Sequence, residues 1–185
     1  MKGNFEQCLA ITLKEEGGFA NHPKDPGGMT NFGITRATYE QWTGRHVTDD
    51  EMRNLTIKDV EPIYRTNYWD RIRGDELPVG VDLVVFDLAV NSGSTRAAKF
   101  LQQALNVPSD GIIGPKTLAA CQQRDPEEIV EQICQERLQF CKQLSTWETF
   151  GKGWSARIGR IETAAKKMLA GLKKPPLKNV SANVA

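Results

Sequence analysis

The sequence predicts a predominantly helical fold with one small β element close to the N-terminus. Three observations carry this. Side chains recur at helical spacing: at about 100° per residue, Phe5, Cys8, Leu9, Thr12 and Leu13 form one stripe, and Val81, Val84, Val85 and Leu88 form another. Helix start and stop signals punctuate the chain between such runs. The stretch MTNFGIT, residues 29–35, follows two glycine elbows, Gly17 with Gly18 and Gly27 with Gly28, and reads as a short strand or hairpin.

Taken in order, residues 4–16 form the first helix, which the first glycine pair breaks. Thr35 caps a helix that runs through Trp42. TDDE at residues 48–51 has the capping-box pattern, and TIKD at 56–59 offers a second cap. Residues 57–71 read as one helix rich in aromatics, with Tyr64, Tyr68 and Trp69. LPVGVDLVVFDLAVNSG, residues 77–93, begins a buried helix that stops near Gly93, and Ser94 caps the next, through Leu105. SDGIIGPKTL is a turn followed by Pro115 at a first helical position. Residues 126–148 form a long amphipathic helix, and another follows GKGWSARIGR. The tail KKPPLKNVSANVA has no core-forming pattern and is expected to be disordered.

At 185 residues the chain fits one domain, or one domain with a small intimate second lobe, and can bury a sizeable core. No apolar run approaches the roughly 20 residues needed to span a bilayer. The first 18 residues carry Glu6 and Gln7 within their apolar stretch and lack a small-residue cleavage site, so they read as an amphipathic helix and not a signal peptide. Cys8, Cys121, Cys134 and Cys141 form no C-x-x-C pair, and neither His22 nor His46 sits at ligand spacing to them; reduced thiols, no metal and no cofactor are expected. The net charge of +1 conceals an asymmetry. Residues 152–178 hold eight Lys or Arg against Glu162 alone, a net +7, which leaves −6 elsewhere. That basic end suits an anionic polymer or membrane surface, or is simply a solvated helix face. No nucleic-acid partner is expected, and a monomer is.

The stripe of the first helix continues onto Glu16. A carboxyl at a helix end, tucked among apolar neighbours, has its charged form disfavoured and so suits a general acid. The glycines after it leave its front open and let a sugar ring approach. Asp25, just before Pro26, Gly27 and Gly28, could supply the second carboxylate that glycoside hydrolysis commonly uses. Thr30 offers a hydroxyl to hold a water or a sugar. The plain alternative makes Glu16 a helix-end residue and the glycines a stop signal; Glu15 takes the acid role if the helix is rotated.

EEGGF and PKDPGGMTNFGIT together resemble the glycoside hydrolase family 108 lysozymes, the bacteriophage and bacterial N-acetylmuramidases. Their hallmark is Glu-Gly-Gly-(Tyr/Phe), then Asp-Pro-Gly-Gly-x-Thr, then Gly-Ile-Thr. The match covers residues 5 to about 92, with Phe19 in place of the commoner Tyr. It implies a lysozyme-like α+β fold with a helical C-terminal lobe, and it makes Glu16 catalytic. The order Glu16, Asp25, Thr30 also looks like the arrangement in phage-type lysozymes of a different family, which implies catalytic parts for Asp25 and Thr30. Residues 86–120 resemble the helical peptidoglycan-binding region that follows the catalytic part, and DGIIGPKTL looks like the turn-plus-helix signature of peptidoglycan-binding modules. The implied division is a muramidase region over 1–92, a helical peptidoglycan-binding region over 93–172 packed on it, and a basic tail over 173–185.

Four further residues are substrate-binding candidates. The amide of Asn91 could face a cleft or simply end a helix, and Tyr64, Tyr68 and Trp69 could stack on sugars or pack the core. His22 reads as a solvated loop residue. Trp147, Trp154, Cys134 and Cys141 read as packing residues of the long helices. The resemblance implies hydrolysis of the β-1,4 bond between N-acetylmuramic acid and N-acetylglucosamine in peptidoglycan. The rivals are a lytic transglycosylase acting on the same bond and a binding protein with no chemistry. The expected setting is the host cytoplasm, with a separate membrane pore giving a phage or prophage endolysin access to the wall. Anionic outer-membrane or wall polymers are candidate partners of the basic end.

Overall fold

The computed structural model describes residues 3–20 and 29–173. The expectations for His22, Asp25, the second glycine pair and the tail from residue 174 fall outside the described residues.

Helix α1 (Phe5–Glu16) buries Phe5, Cys8, Leu9, Thr12 and Leu13, the stripe read from spacing, and ends where Gly17 turns away at φ 77. Strands β1 (Thr30–Asn31) and β2 (Ile34–Thr35) pair antiparallel with Asn31 opposite Ile34. The two-residue loop between them, Phe32 and Gly33, has positive φ at both positions, 49 and 72, which is what the twist of a tight hairpin demands. A bridge from Ala20 to Thr30 ties the hairpin back to the end of α1.

Helix α2 (Arg36–Thr43) is capped by Thr35, whose hydroxyl accepts from the Thr38 amide at 3.1 Å. Helix α3 (Asp49–Arg53) has the reciprocal Thr48–Glu51 capping box. At α4 (Ile57–Tyr64) the Asp59 carboxylate accepts from both the amide and the hydroxyl of Thr56. The single helix expected over 57–71 is not what forms. After Tyr64 the backbone widens into a π-type turn (Arg65–Trp69) and then tightens to 3-10 (Asp70–Ile72). In a regular helix Tyr64 and Trp69 would point about 140° apart. The wider turn lets both rings enter one core, where Trp69 meets Phe5 and Phe86 edge-on at centroid distances of 5.3 and 5.4 Å.

Helix α5 (Val81–Ser92) runs through the middle of the molecule and is buried from Val81 to Ala89. It is apolar nearly all round, so it must be covered on every side, and α1, α6, α8 and α9 cover it. The cap of helix α6 (Ser94–Ala104) falls one residue earlier than predicted: Gly93 at φ 88 occupies the cap position and Ser94 is the first helical residue. Helix α7 (Pro115–Gln122) begins at the proline, as its φ favours.

The two long helices divide differently from the expectation. Helix α8 (Pro126–Lys142) ends six residues before 148, and α9 (Trp147–Lys173) starts ahead of Gly151 and Gly153 and runs through both. Glycine is a poor helix former, but here tertiary packing prevails. The buried side chains Ile129, Val130 and Ile133 belong to α8, and Ile158, Ile161 and Ala165 to α9, whose long seam joins the two helices. Trp147 also lies over Gly151, where a Cβ would come within 2.5 Å of its ring. Trp147 therefore packs on its own helix, with Trp154 beside it at 6.4 Å. All four cysteines are free thiols; burial pushes Cys121 up to about 11 and Cys134 up to about 12, so neither is a nucleophile at neutral pH. Cys141 is only half-buried, unlike its expected core neighbour Cys134. Among the described residues no helix is long and apolar enough to cross a membrane.

Candidate active site

Glu16 is the last residue of α1, and its side chain is 19% exposed. The hairpin tip presses on it. A Cβ added to Gly33 would lie 3.1 Å from Glu16 Oε2 and 2.9 Å from the Tyr64 hydroxyl, so only glycine lets the tip come this near. The tip is fixed from below: the Tyr64 hydroxyl donates to the Phe32 carbonyl at 2.7 Å, and the Asn31 amide donates to the Met52 carbonyl at 2.9 Å. Tyr68 stands next to Tyr64 with ring centroids 5.5 Å apart. Burial, then the negative charge of Glu16, raises the pKa of both phenols, so they stay protonated beside it.

On its other side Glu16 meets a buried charge network contributed by the helical half. Arg157 of α9 donates from Nη2 to Glu16 Oε1 at 2.6 Å and to Asp87 Oδ1 at 2.7 Å, while its Nε reaches Asp87 Oδ1 at 3.1 Å. Asp87 lies on α5 and is fully buried. It also accepts from Arg137 of α8 at 2.6 Å, and Arg137 donates onward to the Asn91 Oδ1 at 3.1 Å. Burial works against the charge on Arg157, but the carboxylates of Asp87 and Glu16 outweigh it and raise its pKa above the ordinary arginine value. The apolar surroundings expected for Glu16 are thus replaced by a guanidinium on one carboxyl oxygen. Glu15 has a separate partner: Arg160, one turn along α9, grips both of its oxygens, at 2.8 and 2.6 Å.

The other site candidates are placed as follows. Thr30 lies on β1, with its amide and carbonyl engaged by Ala20. Asn91 is exposed at the end of α5 and joins the arginine network. Tyr68 is half-buried beside Glu16. Two ring candidates require correction. Tyr64 is 1% and Trp69 0% exposed, so neither offers a face to a sugar; Tyr64 positions the hairpin, and Trp69 is a core residue. The DGIIG turn is held by internal hydrogen bonds. Asp110 accepts from Gln102 at 2.7 Å and from the Ile112 amide, bonds that lower its pKa, and Gln102 accepts from the Gly111 amide at 2.8 Å. Among the described residues no three His, Cys, Asp or Glu side chains converge as a metal site.

Sequence reasoning missed Asp87, Arg137 and Arg157. Their one local signal is an acid inside the apolar run VVFDLAV, since a charge there needs a buried partner. The partners lie 50 and 70 residues away.

The glycosyl hydrolase 108 family model matches residues 9–93, the segment that carries Glu16, the hairpin and Asp87. The solved structure titled "Structure of Brucella abortus SagA" is 45% identical, with a TM-score of 0.78 over 91% of this chain and 97% of that one. The chain belongs to the glycosyl hydrolase 108 family. A second model, described as a predicted peptidoglycan domain, matches residues 96–159. The chain is therefore a glycoside hydrolase with a lysozyme-like, mainly α fold that acts on peptidoglycan. No curated protein matches it. For this family 108 enzyme, the matched segments meet at the Glu16–Arg157 pair, with Glu16 in the first and Arg157 in the second.

Proposed function

We propose that the enzyme hydrolyses the β-1,4 bond between N-acetylmuramic acid and N-acetylglucosamine, with Glu16 as general acid. The observation that carries this is the setting of Glu16: a carboxyl at a helix end, partly exposed, held between a glycine hairpin tip and Arg157. To work as an acid, Glu16 must take up a proton and deliver it to the leaving oxygen. Asp87 already holds the same guanidinium through Nε and Nη2, so Arg157 keeps a carboxylate partner, shared with Arg137, when Glu16 leaves it. Tyr64 and Tyr68 stay neutral hydroxyls next to the developing charge. Asp25 is the proposed second carboxylate and Thr30 the water- or sugar-holding hydroxyl.

The test is muropeptide analysis of digested cell walls with the native enzyme and Glu16→Gln. Reducing N-acetylmuramic ends from the native enzyme, and their loss by at least about 1,000-fold in the variant, are expected for an essential acid. A product lighter by one water identifies a transglycosylase, and full turnover by Glu16→Gln moves the acid elsewhere. We assign the activity to lysis of a bacterial host from within, on the resemblance of residues 15–35 to phage muramidases. Expression in a bacterium with and without a pore-forming membrane protein checks this: lysis should require the pore.

A further inference from the structure

A cavity of about 200 Å³ opens between α5, α6, α8 and α9, lined by Asn91, Arg96, Arg137, Phe140, Trp154 and Arg157 among others. Its electrostatics are unbalanced. Arg137 and Arg157 are neutralised by Asp87 and Glu16. Arg96 is the third arginine on the wall, and among the described residues it has no carboxylate partner. Its guanidinium lies 5.2 Å over the Phe140 ring, exposed at the cavity mouth. With Glu16 ionised, three cations against two anions leave one positive charge facing the cavity, partly screened from water by aromatic walls. This arrangement recognises a carboxylate.

The cavity also has a fixed relation to the proposed chemistry, because Arg157 lines it and at the same time bonds Glu16. A glycan strand cleaved at Glu16 would therefore lay a muramic unit close to its mouth. The volume suits a group the size of one amino-acid residue. Beside it, Phe150 is 52% exposed and stacks against Trp154 at 5.7 Å, giving a flat apolar shelf for a sugar face.

The geometry points to this cavity as the subsite for the acidic peptide stem that muramic units carry, with Arg96 as the residue that binds its carboxylate. The inference rests on the peptidoglycan reading above, but its test needs no catalysis. Calorimetric titration with the free tripeptide L-Ala-γ-D-Glu-meso-diaminopimelate is expected to show binding to the native protein. Binding should weaken at least 10-fold in Arg96→Gln and be partly restored in Arg96→Lys. Arg96 is exposed, so these variants keep the fold. On walls with intact stems, Arg96→Gln should raise KM with kcat unchanged; on walls stripped of stems by an amidase it should match the native enzyme. Equal tripeptide binding by native and Arg96→Gln proteins, or none by the native protein, overturns the assignment. So does equally tight binding of N-acetylmuramic acid alone, because its only carboxylate is the lactyl group. A protein that cleaves walls but ignores the tripeptide loses only this inference.

Discussion

Arg157 donates to Glu16 at 2.6 Å across 141 residues of sequence. The bond joins the end of the first helix to the middle of the last, and it makes the C-terminal half a structural part of the candidate site. The same nitrogen serves Asp87 at 2.7 Å, so the orientation of the Glu16 carboxyl depends on a fully buried acid.

Asp87→Asn should therefore cost more than its distance from the substrate suggests. It leaves the buried guanidinium of Arg137 and the half-buried one of Arg157 without their shared anion, a loss of about 3–5 kcal/mol. Denaturant unfolding measures it. Activity on cell walls should also fall in the fraction that remains folded, because Arg157 then has Glu16 as its one carboxylate partner among the described residues. A loss under about 1 kcal/mol would show that the network contributes little.

Gly33→Ala tests the hairpin tip. A side chain at φ 72 costs about 1–2 kcal/mol, and the new methyl meets Tyr64 and Glu16. Activity on cell walls should drop at least about 10-fold, more than the stability loss explains, because Glu16 is pushed aside.

Glu15→Gln separates the two neighbouring acids. Glu15 is held by Arg160, which is itself 60% exposed, so water screens the pair. Turnover should stay within about 2-fold of native. A loss matching that of Glu16→Gln would transfer the acid role to Glu15.

The capping box of α3 sets a pH dependence. The hydrogen bond from Arg45, then those from Thr48, draw Glu51 down from 4.5 to about 2. A depressed carboxylate stabilises the fold above its unfolded pKa, and that stability disappears as pH falls through the folded value. The gap in melting temperature between native protein and Glu51→Gln should be full at pH 6, shrink below about pH 4.5 and close near pH 2. A gap that does not vary with pH would refute the cap's ionic character.

Two glycines of α9 should respond in opposite directions. Gly159 has open space where a Cβ would go, so Gly159→Ala should add about 0.5–1 kcal/mol through helix propensity. Gly151→Ala drives a methyl into the Trp147 ring at 2.5 Å and should destabilise, or displace that ring. Thermal melts of the pair, with near-UV circular dichroism for the tryptophan, decide it.

The buried stripe of α1, the position of Glu16 at its end, the Thr35 and Thr48 caps and the hairpin over residues 30–35 were all legible in the sequence. Each is set by residues within a turn or two, through side-chain direction, cap hydrogen bonds or the φ that glycine permits. The Asp87–Arg157–Glu16 network, the wide turn that buries Tyr64 and Trp69, and the passage of α9 through Gly151 were decided by tertiary structure alone. Their partners lie on other elements, and which charge meets which, or which ring fills which gap, depends on how the helices cross around α5. Local propensity carries no record of that crossing.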